Sequence, residues 1–157
     1  MATKTPITER RVDELMTRRV EILTPVDTIK EAVNLMMDSK VSTVPVVDGD
    51  NKCIGIISRS DLTEMFMEED NHLSHALDTE LLSLNWLNHS LETGNKKLVK
   101  ELMNYDVATV RTDQTLADAC HLMSLHQIHH LPVLDDRESV VGILSTFDIV
   151  SALAEEV

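Results

Sequence analysis

Apolar positions along this chain follow two periods, one for helices and one for strands. Ile29, Ala32, Val33, Met36 and Met37 recur every three or four residues, which places them on one face of a helix. Thr28-Ile29-Lys30-Glu31 opens that helix as a capping box, and Pro25 blocks an earlier start. Residues 43–47 then form a compact apolar run, Asp48-Gly49-Asp50 turns the chain, and residues 53–57 return as a partner strand. A short strand is expected over 20–23. A second helix is expected from about 58–61, carrying Leu62, Met65 and Phe66. The predicted order is β-α-β-β-α.

That order occurs twice. Shifted by 87 positions, residues 12–66 lie on 99–153 without a gap, and 16 of the 55 positions are identical. Strands are therefore expected over 107–110, 130–134 and 140–144, with helices over 115–125 and from Thr146 or Phe147 onward. Units of about 55 residues are marginal alone, so the two repeats are expected to share one interface with a ligand groove between them. Between them, 67–98 has no counterpart. Leu73, Leu77, Leu81, Leu84, Leu87 and Leu91 recur at helical spacing, Gly94 reads as a C-cap and Asn95 as the next N-cap. That leucine stripe fits either packing on the repeats or a helix that docks a partner or a second copy, with Trp86 as an anchor.

Composition narrows the class. With 43% hydrophobic and 26% charged residues the chain is an ordinary globular protein, and with 3% aromatics its core must be aliphatic, helped by eight Met. No apolar run approaches the roughly 20 residues that span a bilayer, and the N-terminus lacks a secretory signal. Cys53 and Cys120 form no CxxC pair and read as buried, reduced thiols, so a cytoplasmic location is expected, and Met1 with the absence of a truncated element leads to the expectation of a complete small protein. The net charge of −13, with 14 scattered basic residues, argues against nucleic-acid binding. An anionic ligand would have to be held by backbone N–H groups and a few chosen side chains.

The candidate chemistry sits at the shared turn, Gly55-Ile56-Ile57-Ser58-Arg59-Ser60-Asp61 and Gly142-Ile143-Leu144-Ser145-Thr146-Phe147-Asp148. Glycine admits a close approach to the strand. A Ser hydroxyl with the free N–H groups of a helix start can cradle a phosphate or hydroxyl, and an Asp carboxylate can accept two hydrogen bonds from a diol. Ser and Asp are also favoured helix caps, so capping stands beside ligand binding. His126, His129 and His130 at i, i+3 and i+4 suit a metal, a phosphate or plain loop positions; Pro132 argues against one continuous helix through them. His72, His75 and His89 show no usable pattern. No nucleophile has an adjacent base and there is no Gly-rich phosphate loop, so no enzyme activity is expected.

The full order of Leu-Met, Thr-x-x-x-Ala, a strand with Pro-Val-x-Asp, and Gly-h-h-Ser-x-x-Asp (h, apolar) resembles the cystathionine-β-synthase (CBS) domain. Two in tandem resemble a Bateman module, over 12–66 and 99–153. The resemblance implies an α/β (α+β) fold: two pseudo-twofold-related β-α-β-β-α repeats packed sheet to sheet, with an extra inter-repeat helix. It implies adenosine-type ligands (AMP, ADP, ATP or S-adenosylmethionine), with the motif Asp on the ribose and the residues before the Pro-Val strand of the other repeat at base and phosphate. Carried over, the first cleft would join Ser58, Ser60 and Asp61 to Ala108, Ile128, His129, His130 and Pro132. The second, weaker cleft would join Ser145, Phe147 and Asp148 to Val20, Val41, Ser42, Thr43 and Pro45.

The clefts differ. His130 stands where AMP-binding members often carry Arg, and a side chain with an ordinary pKa near 6.5 supplies charge only in part at neutral pH. In the second cleft Glu21 would repel an anion and Phe147 replaces the equivalent of Ser60. The first is therefore expected to take a phosphorylated ligand and the second to be empty or nucleoside-binding. The implied function is a regulatory module without a required cofactor, a homodimer signalling to a separate effector protein. Alternatives are a ligand-free assembly module or the regulatory part of a magnesium-type ion transport system.

Overall fold

The computed structural model describes residues 5–69 and 96–155. Its elements in chain order are a 3-10 turn Ile7–Glu9, α1 (Val12–Leu15), α2 (Ile29–Asp38), β1 (Thr43–Val47), β2 (Cys53–Ser58), α3 (Arg59–Glu69), a 3-10 turn Val99–Glu101, β3 (Val110–Arg111), α4 (Leu116–His126), β4 (His130–Leu134), β5 (Val140–Ser145) and α5 (Thr146–Ala154). The chain forms two compact units. Unit 1 holds Met1–Val20, Gly49–Cys53 and Asp106–Val157; unit 2 holds Glu21–Asp48 and Ile54–Tyr105. Each unit thus mixes segments of both sequence repeats.

Unit 1 is built on the sheet β3-β4-β5. β3 runs parallel to β4, pairing Val110 with Val133, and β4 runs antiparallel to β5, from His130↔Ser145 to Leu134↔Val140. α4 starts on Thr115, whose hydroxyl accepts from the Asp118 N–H while Asp118 accepts from the Thr115 N–H. The helix buries Leu116, Ala119 and Met123 against Val110, Leu131, Val133 and Leu144. Val12 and Met16 complete this core, although they belong to the first repeat. Backbone bonds hold their segment at both ends. Val12 N–H donates to the Gln114 carbonyl (2.9 Å), while Thr17 and Ile143 exchange bonds of 2.9 and 3.0 Å.

Unit 2 repeats the design. β1 and β2 are neighbours, and Leu23 pairs in parallel with Val46. α2 opens on the Thr28–Glu31 capping box and buries Ile29, Ala32, Val33 and Met36 beside Leu23, Val44, Val46, Ile57, Leu62 and Met65. Here Val99 and Met103, from the second repeat, fill the core, held by Val99 N–H to the Asp27 carbonyl (2.8 Å) and a double bond pair between Ile56 and Asn104 (3.0 and 2.8 Å).

Several expectations change. The strand expected over 20–23 reduces to the single Leu23 bridge, and that over 107–110 shortens and shifts to β3. Proline explains the asymmetry between them. Thr112 N–H continues the ladder to the Leu134 carbonyl at 3.0 Å, whereas its counterpart Pro25 has no N–H to donate. The close approach read from the two glycines belongs to methionine: a Cβ on Gly55 would lie 2.6 Å from the Met103 sulfur, and one on Gly142 would strike the Met16 sulfur. Cys53 is half-buried and Cys120 is exposed on α4, so the reading of both as buried thiols is corrected; neither is in a disulfide. Partial burial of its sulfur still pushes the Cys120 thiol above its ordinary pKa. The leucine stripe, Trp86, Gly94, Asn95, His72, His75 and His89 lie outside the described residues. Among the described residues no helix is long and apolar enough to cross a membrane.

Candidate functional site

In unit 1 the chemistry gathers where β5 gives way to α5. Ser145 takes extended backbone (φ −109°, ψ 161°) and caps the helix: its hydroxyl accepts from the Asp148 N–H at 3.2 Å. Asp148 answers through Oδ2, which accepts from the Ser145 N–H and hydroxyl, both at 2.7 Å. Oδ1 is not used by the box. The capping role of Ser and Asp is therefore real, and it fixes the carboxylate without consuming both oxygens. His130 opens β4 directly across from Ser145, and the Thr146 N–H donates to the His129 carbonyl at 3.0 Å. The sheet register thus brings His129, His130, Ser145 and Asp148 to one corner.

His129 is exposed and His130 half-buried. Burial holds the His130 imidazole below its ordinary value of 6.5, with His129 adding to the effect and the Asp148 carboxylate opposing it. His130 is accordingly less charged at neutral pH than the sequence alone implies. Phe147, 76% exposed, projects from the first turn of α5.

Unit 2 assembles the matching corner without histidine. Asp61 Oδ2 accepts from the Ser58 N–H and hydroxyl, both at 2.6 Å, and the Arg59 N–H donates to the Ser42 carbonyl at 2.8 Å. Ser42, Thr43, Ser58 and Asp61 are so collected, with Ser60 exposed beside them. Asp61 also lines a recess of about 470 Å³ with Glu64, Met65, Lys97, Glu101 and Leu102, in which three carboxylates face one ammonium. Glu21 accepts from the Ser39 hydroxyl at 3.0 Å.

The remaining predicted positions are structural in their surroundings. Pro45 and Pro132 are buried in β1 and β4, Val41 packs on the core of unit 2, and Ala108 and Ile128 pack on that of unit 1. Val20 is half-buried. The first expected cleft set divides, with Ser58, Ser60 and Asp61 in unit 2 and Ala108, Ile128, His129, His130 and Pro132 in unit 1. The second divides too: Val20, Ser145, Phe147 and Asp148 lie in unit 1, and Val41, Ser42, Thr43 and Pro45 in unit 2. Sequence reasoning passed over the backbone link between the strand entrance and the helix start. Its signal was the equal spacing of 42 to 59 and 129 to 146. Gln127, in left-handed conformation (φ 53°), ends α4 after His126, so the three histidines share no helix. Among the described residues no cluster of three His, Cys, Asp or Glu side chains could hold a metal.

A family model described as CBS domain matches residues 12–68 and 99–155. The chain belongs to the CBS-domain family. Among its relatives, an uncharacterised protein of Methanocaldococcus jannaschii is 28% identical over 90% of each chain. The chloroplastic CBS domain-containing protein CBSX1 of Arabidopsis thaliana is 28% identical over 90% of this chain and 63% of its own. An inosine-5'-monophosphate dehydrogenase of Halobacterium salinarum is 34% identical over 87% of this chain, which spans only 23% of that enzyme. The fold matches CBS-pair structures: CBSX2 of Arabidopsis thaliana at TM-score 0.73 (27% identity, 95% of this chain, 97% of that one). CBSX2 in complex with AMP matches at TM-score 0.71 (25% identity, 93% and 97% covered). A CBS domain pair in complex with 5-methylthioadenosine and S-adenosyl-L-methionine shares the fold at TM-score 0.70 (23% identity, 95% and 99% covered).

Proposed function

We propose that this protein is a non-enzymatic regulatory module that binds an adenosine-type ligand and passes the signal to another polypeptide. The observation that carries the reading is the unit 1 corner, where a capped helix start, a carboxylate with one oxygen outside the cap, and a histidine pair converge in a chain whose fold matches a protein solved with AMP. In this reading Asp148 Oδ1 accepts from the ribose diol, while His129, His130 and the start of α5 face the phosphate. Unit 2, with Ser42, Thr43, Ser58 and Asp61 beside Glu64 and Glu101, suits an uncharged nucleoside group better than an anion. The same residue chemistry argues for binding over catalysis: the serines and aspartates are engaged in caps, and the Cys120 thiol is pushed up, away from the nucleophilic thiolate. Output follows from any difference in ligand affinity between two packing states, read by an effector protein or a second copy.

The test is thermal unfolding with AMP, ADP, ATP or S-adenosylmethionine at millimolar concentration. Ligand at ten times its Kd stabilises by about 1.4 kcal/mol, which raises Tm by several degrees in a chain of this size. No rise with any of the four contradicts the proposal.

A second reading, assembly of two copies, is favoured by one feature. Phe147, Val150 and Leu153 form a stripe along α5 and are 76%, 59% and 46% exposed. If that stripe joins two copies, light scattering finds a dimer in the native chain and a monomer in Val150→Asp; a native chain monomeric at all concentrations removes this reading.

A further inference from the structure

We infer that the turn Gly49–Cys53 is a strap: its hold on the first residues of β5 makes β1 and β2 of unit 2 loosen and tighten together with β5 of unit 1. The inference goes beyond the ligand-binding reading and holds whether or not either corner takes a ligand.

The chain leaves unit 2 after Asp48, just past β1, and returns to it at Ile54, in β2. The residues between belong to unit 1. There the Asn51 carbonyl accepts from the Val140 N–H at 3.1 Å, and the Asn51 side-chain amide donates to the Val140 carbonyl at 3.2 Å. Lys52 lies antiparallel to Ser139, and its ammonium stands 3.6 Å from the Glu138 carboxylate. Val140, held through both of its backbone groups, is buried and opens β5. Gly49 at the tip is not packed in, since a Cβ there would meet nothing within 4 Å. The grip is polar and directional.

The turn ahead of β5 is braced from within. Asp135 Oδ1 accepts from the Arg137 and Ser139 N–H groups, both at 2.9 Å, and the Asp135 N–H donates to the Ser139 carbonyl at 3.0 Å. The β1–β2 turn instead leans on β5, and it does so through a left-handed residue. Asn51 has φ 61°, where glycine would suit the backbone better, yet only a side chain can reach Val140. An unfavourable conformation kept for one contact marks that contact as the purpose of the turn. From this grip β5 runs to its cap residue Ser145, and β2 runs to Ser58. Each strand is a short lever between the strap and a cap, so tension in one is passed to the other through Val140 and Asn51.

Hydrogen exchange of the whole chain without ligand, read by mass spectrometry on peptides covering β1, β2 and α4, tests the strap by itself. Asn51→Gly gives the backbone the residue that this φ favours while deleting the side-chain bond to Val140. Exchange in β1 and β2 should quicken roughly tenfold, the scale of one part-buried hydrogen bond, while α4 keeps its native rate. Lys52→Glu sets two carboxylates face to face at an exposed position, and should quicken the same strands by about twofold. Adding Glu138→Lys to that chain should restore the native rate. Exchange in β1 and β2 that is unchanged or slower in Asn51→Gly overturns the inference, as does a change confined to the two turns. A Lys52→Glu effect that Glu138→Lys leaves in place also overturns it.

Discussion

Each titrating or capping side chain has a consequence that can be measured without a ligand. The His130 value is lowered by folding, so below the ordinary imidazole range the unfolded chain binds more protons than the folded one, and stability falls as the pH drops there. Between pH 7.5 and 5.5 the native chain should lose more stability to denaturant than His130→Thr does; equal losses would show that folding does not lower the His130 value. Ser145→Ala removes the acceptor for the Asp148 N–H and one donor to Oδ2. It should cost about 1 kcal/mol in unfolding free energy, the usual value of an N-cap. A residue on this corner thus serves two ends, and a ligand assay on any Ser145 or Asp148 variant needs a stability measurement beside it.

Among the elements, the leading segments carry the least expected feature. The segment of Val12 and Met16 is built into the core of unit 1, and that of Val99 and Met103 into unit 2, each with a methionine pressed on a glycine of the strand before the cap. Gly142→Ala should destabilise by about 1–3 kcal/mol through overpacking, and Met16→Ala in the same chain should recover part of that loss. Strictly additive costs would mean that the two residues do not meet. The helices and strands themselves were legible, because capping boxes at Thr28 and Thr115 and the apolar runs 43–47 and 130–134 act locally. The exchange was not. Residues 12–16 and 99–103 differ at a single position, Asp13 against Lys100, so no pattern in the chain says which set of strands each segment joins. The same ambiguity hid the site. Residue types at Ser145, Asp148, His129 and His130 were readable, but that His130 sits beside Asp148 follows from the β4–β5 register, which is a tertiary fact.

At the scale of the whole chain, two aliphatic cores carry the fold. Leu131 and Leu144 in unit 1, and Ile29 and Ile57 in unit 2, are fully buried. Ile57→Ala should cost about 2–5 kcal/mol in chemical denaturation, a large share of what a domain this size possesses. The functional account turns on the unit 1 corner. Calorimetric titration of AMP into the native chain, Asp148→Asn and Asp61→Asn tests it most directly, since asparagine keeps a side-chain oxygen for the cap while weakening acceptance from a ribose diol. The account predicts saturable heat with the native chain and with Asp61→Asn, and its loss in folded Asp148→Asn. Absence of saturable heat in the native chain, or AMP binding undiminished in Asp148→Asn, contradicts it.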